Sequence, residues 1–125
     1  MKEIKYMLGD LVRLDGRLKV VIRPENSDFR VRDIKTGLAT LCTIDSVVPI
    51  KLTPRILKAN GWEKLDNVYK IPTYGHQEAE WLEVMFELDD CKAFCLDCAI
   101  VDSFNYVHEL QHLLFGLGLP SDLKV

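Results

Sequence analysis

The residues best suited to catalysis lie near the end of the chain, where residues 108–112 read His-Glu-Leu-Gln-His, a literal match to the H-E-x-x-H pattern. On a helix, histidines four positions apart project from one face and can both bind zinc, while the glutamate can act as general base on a zinc-bound water. His108 and His112 are therefore candidate zinc ligands, and Glu109 is the candidate catalytic base of a zinc metallohydrolase.

A catalytic zinc site also needs a third protein ligand. In the extended metalloprotease pattern this ligand is a histidine six residues after the second one, with a glycine between them. Here Gly118 and Phe115 occupy those two positions, so the extended pattern fails. His76, a cysteine or an upstream acid could complete the site through folding. The competing interpretation is a surface helix whose polar side faces water. We favour it, and we expect no catalytic residue, no metal ligand and no cofactor.

The cysteines offer a second possible metal site. Cys91, Cys95 and Cys98 have the spacing by which radical S-adenosylmethionine enzymes hold an iron–sulfur cluster, but those enzymes place it early in a much longer barrel. Residues 93–101 instead predict a strand, whose alternation sends Cys95 and Cys98 to opposite faces. We therefore expect buried, reduced thiols, Cys42 included. A zinc site that combines cysteine and histidine is the open alternative.

Composition and charge narrow the class of protein. The chain has 125 residues, of which 48% are hydrophobic and 28% charged, as in a soluble globular protein. Its net charge of −3 gives no global electrostatic support for binding nucleic acid or an anionic membrane. The sequence shows neither an N-terminal signal core nor an apolar run of membrane-spanning length. The expected location is the cytoplasm, with no membrane partner.

Residues 1–51 are predicted to form a small SH3-like β-barrel. Asp15-Gly16 is a strong signal for a two-residue hairpin turn. Pro49 suits an edge strand or the exit from a barrel. Short runs of apolar and β-branched residues between turn signals predict five strands, at residues 8–14, 18–22, 29–34, 38–44 and 47–50.

Residues 52–125 are predicted to form an α+β subdomain that makes one compact unit with the barrel. Thr53 as the N-cap and Asn60-Gly61 as the stop define a short helix, and Trp62 follows as a packing anchor. Further antiparallel strands are predicted at residues 68–71, 81–88 and 94–101.

A terminal amphipathic helix is predicted from about Phe104, with Ser103 as its cap, to Gly116 or Gly118. At about 100° per residue, the two histidines of the H-E-x-x-H pattern fall on its polar side. Its apolar side, which we expect to pack on the second sheet, carries Leu110, Leu113, Leu114 and Leu117.

Three motifs follow one another in a distinctive order: GDLVRLDGRLKVV at residues 9–21, PIKLTPRILKANGW at residues 49–62, and YVHELQHLL from Tyr106. In these motifs the chain resembles a family of small uncharacterised proteins of gut Bacteroidetes and their phages and mobile elements. The resemblance spans nearly the whole chain and is weakest in residues 69–102. It implies a biological setting rather than a reaction, because that family has no established activity. In similar proteins the position of His112 is often asparagine, which a zinc site would not tolerate.

The function we favour is that of a phage- or mobile-element-linked, non-enzymatic binding or adaptor protein with a protein partner. The alternatives are a sequestering protein for a nucleotide-like ligand, with aromatic rings for stacking and arginines for phosphate contacts, the zinc metallohydrolase, and nucleic-acid binding through the basic barrel. The oligomeric state stays open. The candidate ligand- or partner-binding residues are Trp62, Tyr74, His76, Trp81, Tyr106, His108, Arg13 and Arg17.

Overall fold

The computed structural model describes residues 5–66, 71–87, 90–94 and 100–125. These residues form an α+β fold with two five-stranded antiparallel sheets and few helices. The chain divides into two compact units: the first comprises the residues up to Ile50 with Tyr106–Asp122, and the second comprises Lys51–Asn105 with Leu123–Val125. In the described part of the chain, no helix is long and apolar enough to cross a membrane.

The sheet of the first unit is a meander whose last strand returns to pair with the first. A 3-10 helix, Ile44–Ser46, precedes that last strand. The order in the sheet is β4-β3-β2-β1-β5, so the five predicted strands are present, but the described residues form an open sheet rather than a closed barrel. The strands are β1 (Leu11–Leu14), β2 (Arg17–Glu25), β3 (Asp28–Asp33), β4 (Ala39–Cys42) and β5 (Val48–Pro49).

The turn between β1 and β2 has the conformation that its sequence predicts. Asp15 and Gly16 have φ values of 53° and 77°, and Leu14 pairs with Arg17 across the hairpin. Two left-handed residues in a two-residue loop are typical of a type I′ turn. Strand alternation then buries one face of the sheet, whose core consists of Tyr6, Val12, Val21, Phe29, Val31 and Val47.

Helix α2 (Val107–Gly116) belongs to the first unit, where it contacts β1. The predicted grouping of this helix with the second sheet differs from the structure, which assigns the helix to the first unit. Leu110 and Leu114 are buried, as its apolar side predicts, but His108 and Gln111 on other sides of the helix are buried too. An amphipathic pattern identifies an apolar side and does not reveal which elements cover the rest of the helix.

The predicted start of this helix at Phe104, capped by Ser103, is also wrong, because both residues lie in a strand of the second sheet. The helix begins three residues later, where Val107 N–H donates to Ile50 O over 2.7 Å. Its end agrees with the glycine signal. Gly118 has a φ of 74°, and Leu119 N–H reaches back to the carbonyl oxygen of residue 114 over 2.9 Å, as in a Schellman motif.

The second unit begins with helix α1 (Pro54–Ala59), whose predicted signals are confirmed. Thr53 Oγ1 accepts a hydrogen bond from Ile56 N–H, Gly61 has a φ of 84°, and Trp62 is buried. The sheet that follows has the order β10-β9-β8-β7-β6. Its strands are β6 (Glu63–Leu65), β7 (Thr73–Gly75), β8 (Glu83–Glu87), β9 (Asp90–Phe94) and β10 (Ile100–Phe104).

The strand predictions for this unit are only partly correct. β8 lies within the predicted residues 81–88, whereas the single strand predicted at residues 94–101 is wrong. Phe94 ends β9 and Ile100 begins β10, and these two residues are antiparallel partners. The predicted residues 68–70 lie outside the described residues, as do Cys95 and Cys98. β6 and β7 were not predicted, since three residues are too few to establish a pattern of alternation.

Candidate functional site

Glu109 of the H-E-x-x-H pattern caps the helix that carries it. Its Oε1 accepts a hydrogen bond of 3.2 Å from the backbone N–H of Tyr106, the N-cap residue. Its own N–H donates to Tyr106 O over 3.1 Å. A glutamate three residues after the N-cap commonly satisfies a free N–H in this way and carries a negative charge favoured by the helix dipole. Glu109 therefore stabilises the first turn of α2.

His108 is a core residue of the first unit, with only 3% of its surface exposed. Its ring stacks on that of Tyr106, with the planes 13° apart, and its centroid lies 4.9 Å from the ring of Tyr6. Burial lowers the pKa of His108 to about 4, so the ring is neutral near pH 7. Among the described residues, its Nδ1 has no hydrogen-bond partner.

His112 pairs with a buried carboxylate. Its Nε2 lies 2.7 Å from Oδ2 of Asp10, whose side chain is 3% exposed. The same carboxylate oxygen accepts a hydrogen bond of 2.7 Å from Met7 N–H. Burial raises the pKa of Asp10 above its usual value, and these two hydrogen bonds offset that effect only in part. The Asp10–His112 pair thus joins the segment before β1 to the middle of α2.

Gln111 makes three hydrogen bonds from a buried position. Its Oε1 accepts from Leu11 N–H over 2.9 Å, and its Nε2 donates to Gly9 O and to Ser121 O over 3.0 and 3.1 Å. The amide group therefore satisfies one donor and two acceptors of the backbone. Like His112, this side chain holds α2 to the segment before β1.

A cavity of about 180 Å³ opens beside these contacts. Its rim includes three apolar residues with much of their surface exposed, Met7 (40%), Leu8 (71%) and Phe115 (67%). The remaining lining residues are Gly9, Asp10, Gln111, His112 and Ser121. Nε2 of His112 is hydrogen-bonded to Asp10 Oδ2. A ligand in the cavity would therefore interact with the other ring nitrogen, Nδ1.

The geometry does not fit a catalytic zinc centre. The rings of His108 and His112 are 5.6 Å apart between centroids and almost perpendicular, at 74°. His112 Nε2 is directed at a carboxylate, and Glu109 is engaged with the N-cap backbone. Within residues 5–66, 71–87, 90–94 and 100–125, no group of three or more His, Cys, Asp or Glu side chains is arranged to hold a metal ion. The extended sequence pattern lacks a third zinc ligand, and the described residues do not provide one from elsewhere in the fold.

The aromatic residues predicted to bind a ligand divide between the two units. Tyr106 and His108 lie in the first. In the second, Trp62 and Tyr74 are buried, and the rings of Trp62 and His76 meet edge to face with centroids 5.0 Å apart. His76 Nδ1 accepts hydrogen bonds from the backbone N–H groups of residues 78 and 79, and burial lowers its pKa. Trp81, at 36% exposed, is more accessible. Most of these rings are therefore packed against other residues of their own unit.

The predicted arginines lie on the first sheet, and one of them is held by a buried carboxylate. Arg17 Nε is 2.7 Å from Asp33 Oδ2, which also accepts from Lys19 Nζ at 3.1 Å. The Arg17 guanidinium is the main cause that holds the pKa of Asp33 well below its usual range. Two other arginines of this sheet, Arg23 in β2 and Arg30 in β3, pair with Asp28. Arg13, in β1, is half-buried.

Sequence reasoning missed the partners that give the helix its role. Tyr6 and Met7 precede the first motif, whereas Leu8, Gly9 and Asp10 were predicted as the start of the first strand; that prediction is wrong at this end, because β1 begins at Leu11. The one available signal was Gly9, which has a φ of 93° and marks a turn rather than a strand. No protein-family model, curated protein or solved structure matches this chain.

Proposed function

We propose that the chain is a non-enzymatic binding protein whose first unit receives an apolar side chain of a protein partner in the cavity beside α2. The observation that carries this proposal is the exposure of Leu8 and Phe115 at the rim. Large apolar side chains exposed around a concavity are typical of interaction sites. Met7 extends the same rim.

The size of the cavity favours an aromatic ring. About 180 Å³ is available, and a dry cavity of roughly 150 Å³ accommodates a benzene molecule. Phe115 would pack against the incoming ring, a geometry in which aromatic pairs gain about 0.5 to 1.5 kcal/mol beyond area burial. A polar group on that ring would find His112 at the lining. The preferred ligand is therefore a phenylalanine or tyrosine side chain presented by another protein.

The roles of the H-E-x-x-H residues support binding over catalysis. Glu109 caps α2, His108 is packed between tyrosines, and His112 is paired with Asp10. A zinc hydrolase would need the same three groups to face one metal and its water. These side chains cannot make the observed contacts and bind zinc at the same time, so the metallohydrolase is the weaker proposal.

We also infer that the first unit is a variant of the SH3-like small barrel in a phage-linked protein. Its support is the five-stranded meander in which β5 returns to β1, with a 3-10 helix before β5. A cytoplasmic location is part of the same proposal. Barrels of this kind present loops and edges to partners while their core stays packed, which agrees with a binding role.

The test is a titration of the uniformly ¹⁵N-labelled chain with N-acetyl-phenylalanine amide, followed by ¹H–¹⁵N correlation spectra. We expect saturable shifts at residues 7–10 and 111–115, and none with N-acetyl-alanine amide. Phe115→Asp should weaken binding about tenfold or more, equivalent to roughly 1.4 kcal/mol. The matched control is Val48→Asp, a change at a residue 60% exposed in β5, which should leave binding unchanged.

Two further titrations separate the rival functions. Adenosine monophosphate that shifts the same amides more strongly than the phenylalanine probe would favour nucleotide sequestration. A short DNA duplex whose shifts lie on the arginine-bearing strands and vanish with added salt would favour nucleic-acid binding. Equal responses to the phenylalanine and alanine probes would contradict the proposed pocket.

A further inference from the structure

The four edges of the two sheets are not equally protected against pairing with another chain. β5 is two residues long and ends in Pro49. In β6, Glu63 and Lys64 are exposed charged residues, and β10 contains a register shift between Ile100 and residue 102. Prolines, charges, short strands and bulges are the usual means by which proteins protect sheet edges.

β4 has none of these protections. Its sequence is Ala-Thr-Leu-Cys, without a charge or a proline, and its pairing with β3 runs through four consecutive residues with no shift in register. Three of its four residues are exposed. Leu41 is 62% exposed, and Leu38 just before the strand is 69% exposed. An uncharged, regular and exposed edge is a ready template for an additional strand.

The hydrogen-bond alternation shows which backbone groups are offered. Asp33 N–H donates to Leu38 O over 2.9 Å, which makes this a hydrogen-bonded pair of the β3–β4 ladder. Pairs alternate along an antiparallel ladder, so Thr40 and Cys42 also direct their N–H and C=O groups to β3. Ala39 and Leu41 therefore direct theirs away from the sheet.

The outer face beside this edge has both apolar and basic character. Arg30 is the antiparallel partner of Leu41, and Arg32 is the partner of Ala39. Both arginines are exposed. Adjacent strands are about 4.8 Å apart, so an added strand would lie roughly 10 Å from β3, within reach of an arginine side chain that passes over the small Ala39.

We propose that β4 is a strand-addition site for an extended segment of a protein partner. The added strand pairs with the outward groups of Ala39 and Leu41. On its outer face it carries an acidic residue near Arg32 and an aliphatic residue, two positions away, near Leu41. Main-chain hydrogen bonds give affinity in such complexes, and alternate side chains give specificity. This site uses different residues from the cavity beside α2 and does not depend on it.

The test uses capped eight-residue peptides with threonine at every other position and glutamate and valine in turn between them, so that one face carries both, compared with peptides in which lysine replaces each glutamate. Binding to the full chain is followed by ¹H–¹⁵N spectra and amide hydrogen exchange. We expect the glutamate peptide to slow exchange at Ala39 and Leu41 and to bind at least about fivefold more tightly than the lysine peptide. N-methylation of the glutamate peptide at alternate residues, which removes the donors facing β4, should abolish the effect.

Charge exchange gives the sharpest control. Arg32→Glu should reverse the preference between the two peptides, whereas Arg55→Glu, at an exposed position of α1 in the second unit, should leave it within twofold. Unchanged exchange at Ala39 and Leu41 with either peptide would overturn the proposal. So would protection of those amides by self-association of the chain alone, since the occupant would then be a second copy.

Discussion

At the scale of single residues, the H-E-x-x-H pattern serves the fold. Glu109 bonds to the N-cap backbone, His108 lies in an aromatic core, and Asp10 holds His112. Each of these contacts is local or lies within the first unit, and none requires a metal. Residue types that bind zinc in other proteins with this pattern here cap the helix and pack it against its neighbours.

Replacement of Glu109 separates capping from catalysis. Glu109→Ala removes the acceptor for Tyr106 N–H and should lower the free energy of unfolding by about 1 kcal/mol. Glu109→Gln keeps an acceptor oxygen, as glutamine does in capping boxes, and should retain more than half of that stability. Urea unfolding of the three proteins measures both values. An equal loss in the two variants would show that the hydrogen bond is not what Glu109 contributes.

His108 should make stability depend on pH. Its native pKa is about 4, against 6.5 for an unperturbed histidine, so between these values the unfolded state binds a proton that the native state does not. The contribution is fully present above pH 6.5 and is lost as the pH falls toward 4, by up to about 3 kcal/mol. Asp10, whose pKa is raised, acts in the opposite sense.

His108→Phe removes this titration and leaves Asp10 in place. We expect the variant to lose clearly less stability than the natural chain between pH 7 and pH 4, as measured by urea unfolding at each pH. If the two chains lose the same amount, His108 is not buried as a neutral ring.

At the scale of elements, turns and helix ends encoded by adjacent residues could be predicted, whereas boundaries set by contacts with distant residues could not. The hairpin at Asp15-Gly16 and the stop of α1 at Gly61 depend on backbone conformations that few other residues adopt, so their sequences were sufficient. The start of α2 depends on pairing of Ser103 and Phe104 with β9 and on the bond from Val107 to Ile50. No pattern within the helix encodes those contacts.

The candidate site was predictable only on its helical side. Gln111, His112 and Phe115, which line the cavity, stood in the sequence as members of a recognisable helix, whereas the role of Asp10 appears only when the segment before β1 meets α2. Contacts such as Asp10–His112, separated by 102 positions, have no periodicity from which to derive them.

The end of α2 offers a matched pair of glycines. Gly116 lies in the helix and Gly118 adopts a φ of 74°, and a Cβ at either position would meet open space. Gly116→Ala should stabilise the chain by about 0.5 to 1 kcal/mol, because alanine is the better helix former. Gly118→Ala should destabilise it by about 1 kcal/mol through the left-handed conformation.

Thermal unfolding of the two single variants tests this difference. The signs should be opposite, although the two substitutions are chemically identical and only two residues apart. Two changes of the same sign would mean that α2 does not end at Gly116.

At the scale of the whole molecule, the first unit is closed by a helix that follows the ten strands of the described residues in the sequence. Gln111 forms hydrogen bonds with Leu11, Gly9 and Ser121. Its loss should therefore weaken the contact of α2 both with residues 9–11 and with Ser121. Gln111→Leu has a similar volume but leaves buried backbone groups unsatisfied, and it should cost on the order of 2 to 3 kcal/mol. The exposed Gln77→Leu is the control and should change stability by less than about 0.5 kcal/mol.

The measurement for Gln111→Leu is the free energy of unfolding, with hydrogen exchange at Leu11 N–H as a local reading. Faster exchange at that amide, without a matching loss of amide protection in β2, would show that the substitution weakens the contact between α2 and β1. A stability equal to that of the natural chain would show that the three hydrogen bonds do not hold the helix in place.

The contacts of Glu109, His108 and His112 make the H-E-x-x-H helix a structural element of the first unit rather than a metal site. Long-range ¹H–¹⁵N spectra of the imidazole nitrogens, recorded with and without one equivalent of zinc, test it most directly. We predict a neutral His108 ring near pH 7 and a His112 Nε2 that keeps its hydrogen bond to Asp10, with no change on adding zinc. Shifts of nitrogens in both rings to metal-bound values, with one zinc retained per chain after dialysis, would contradict it.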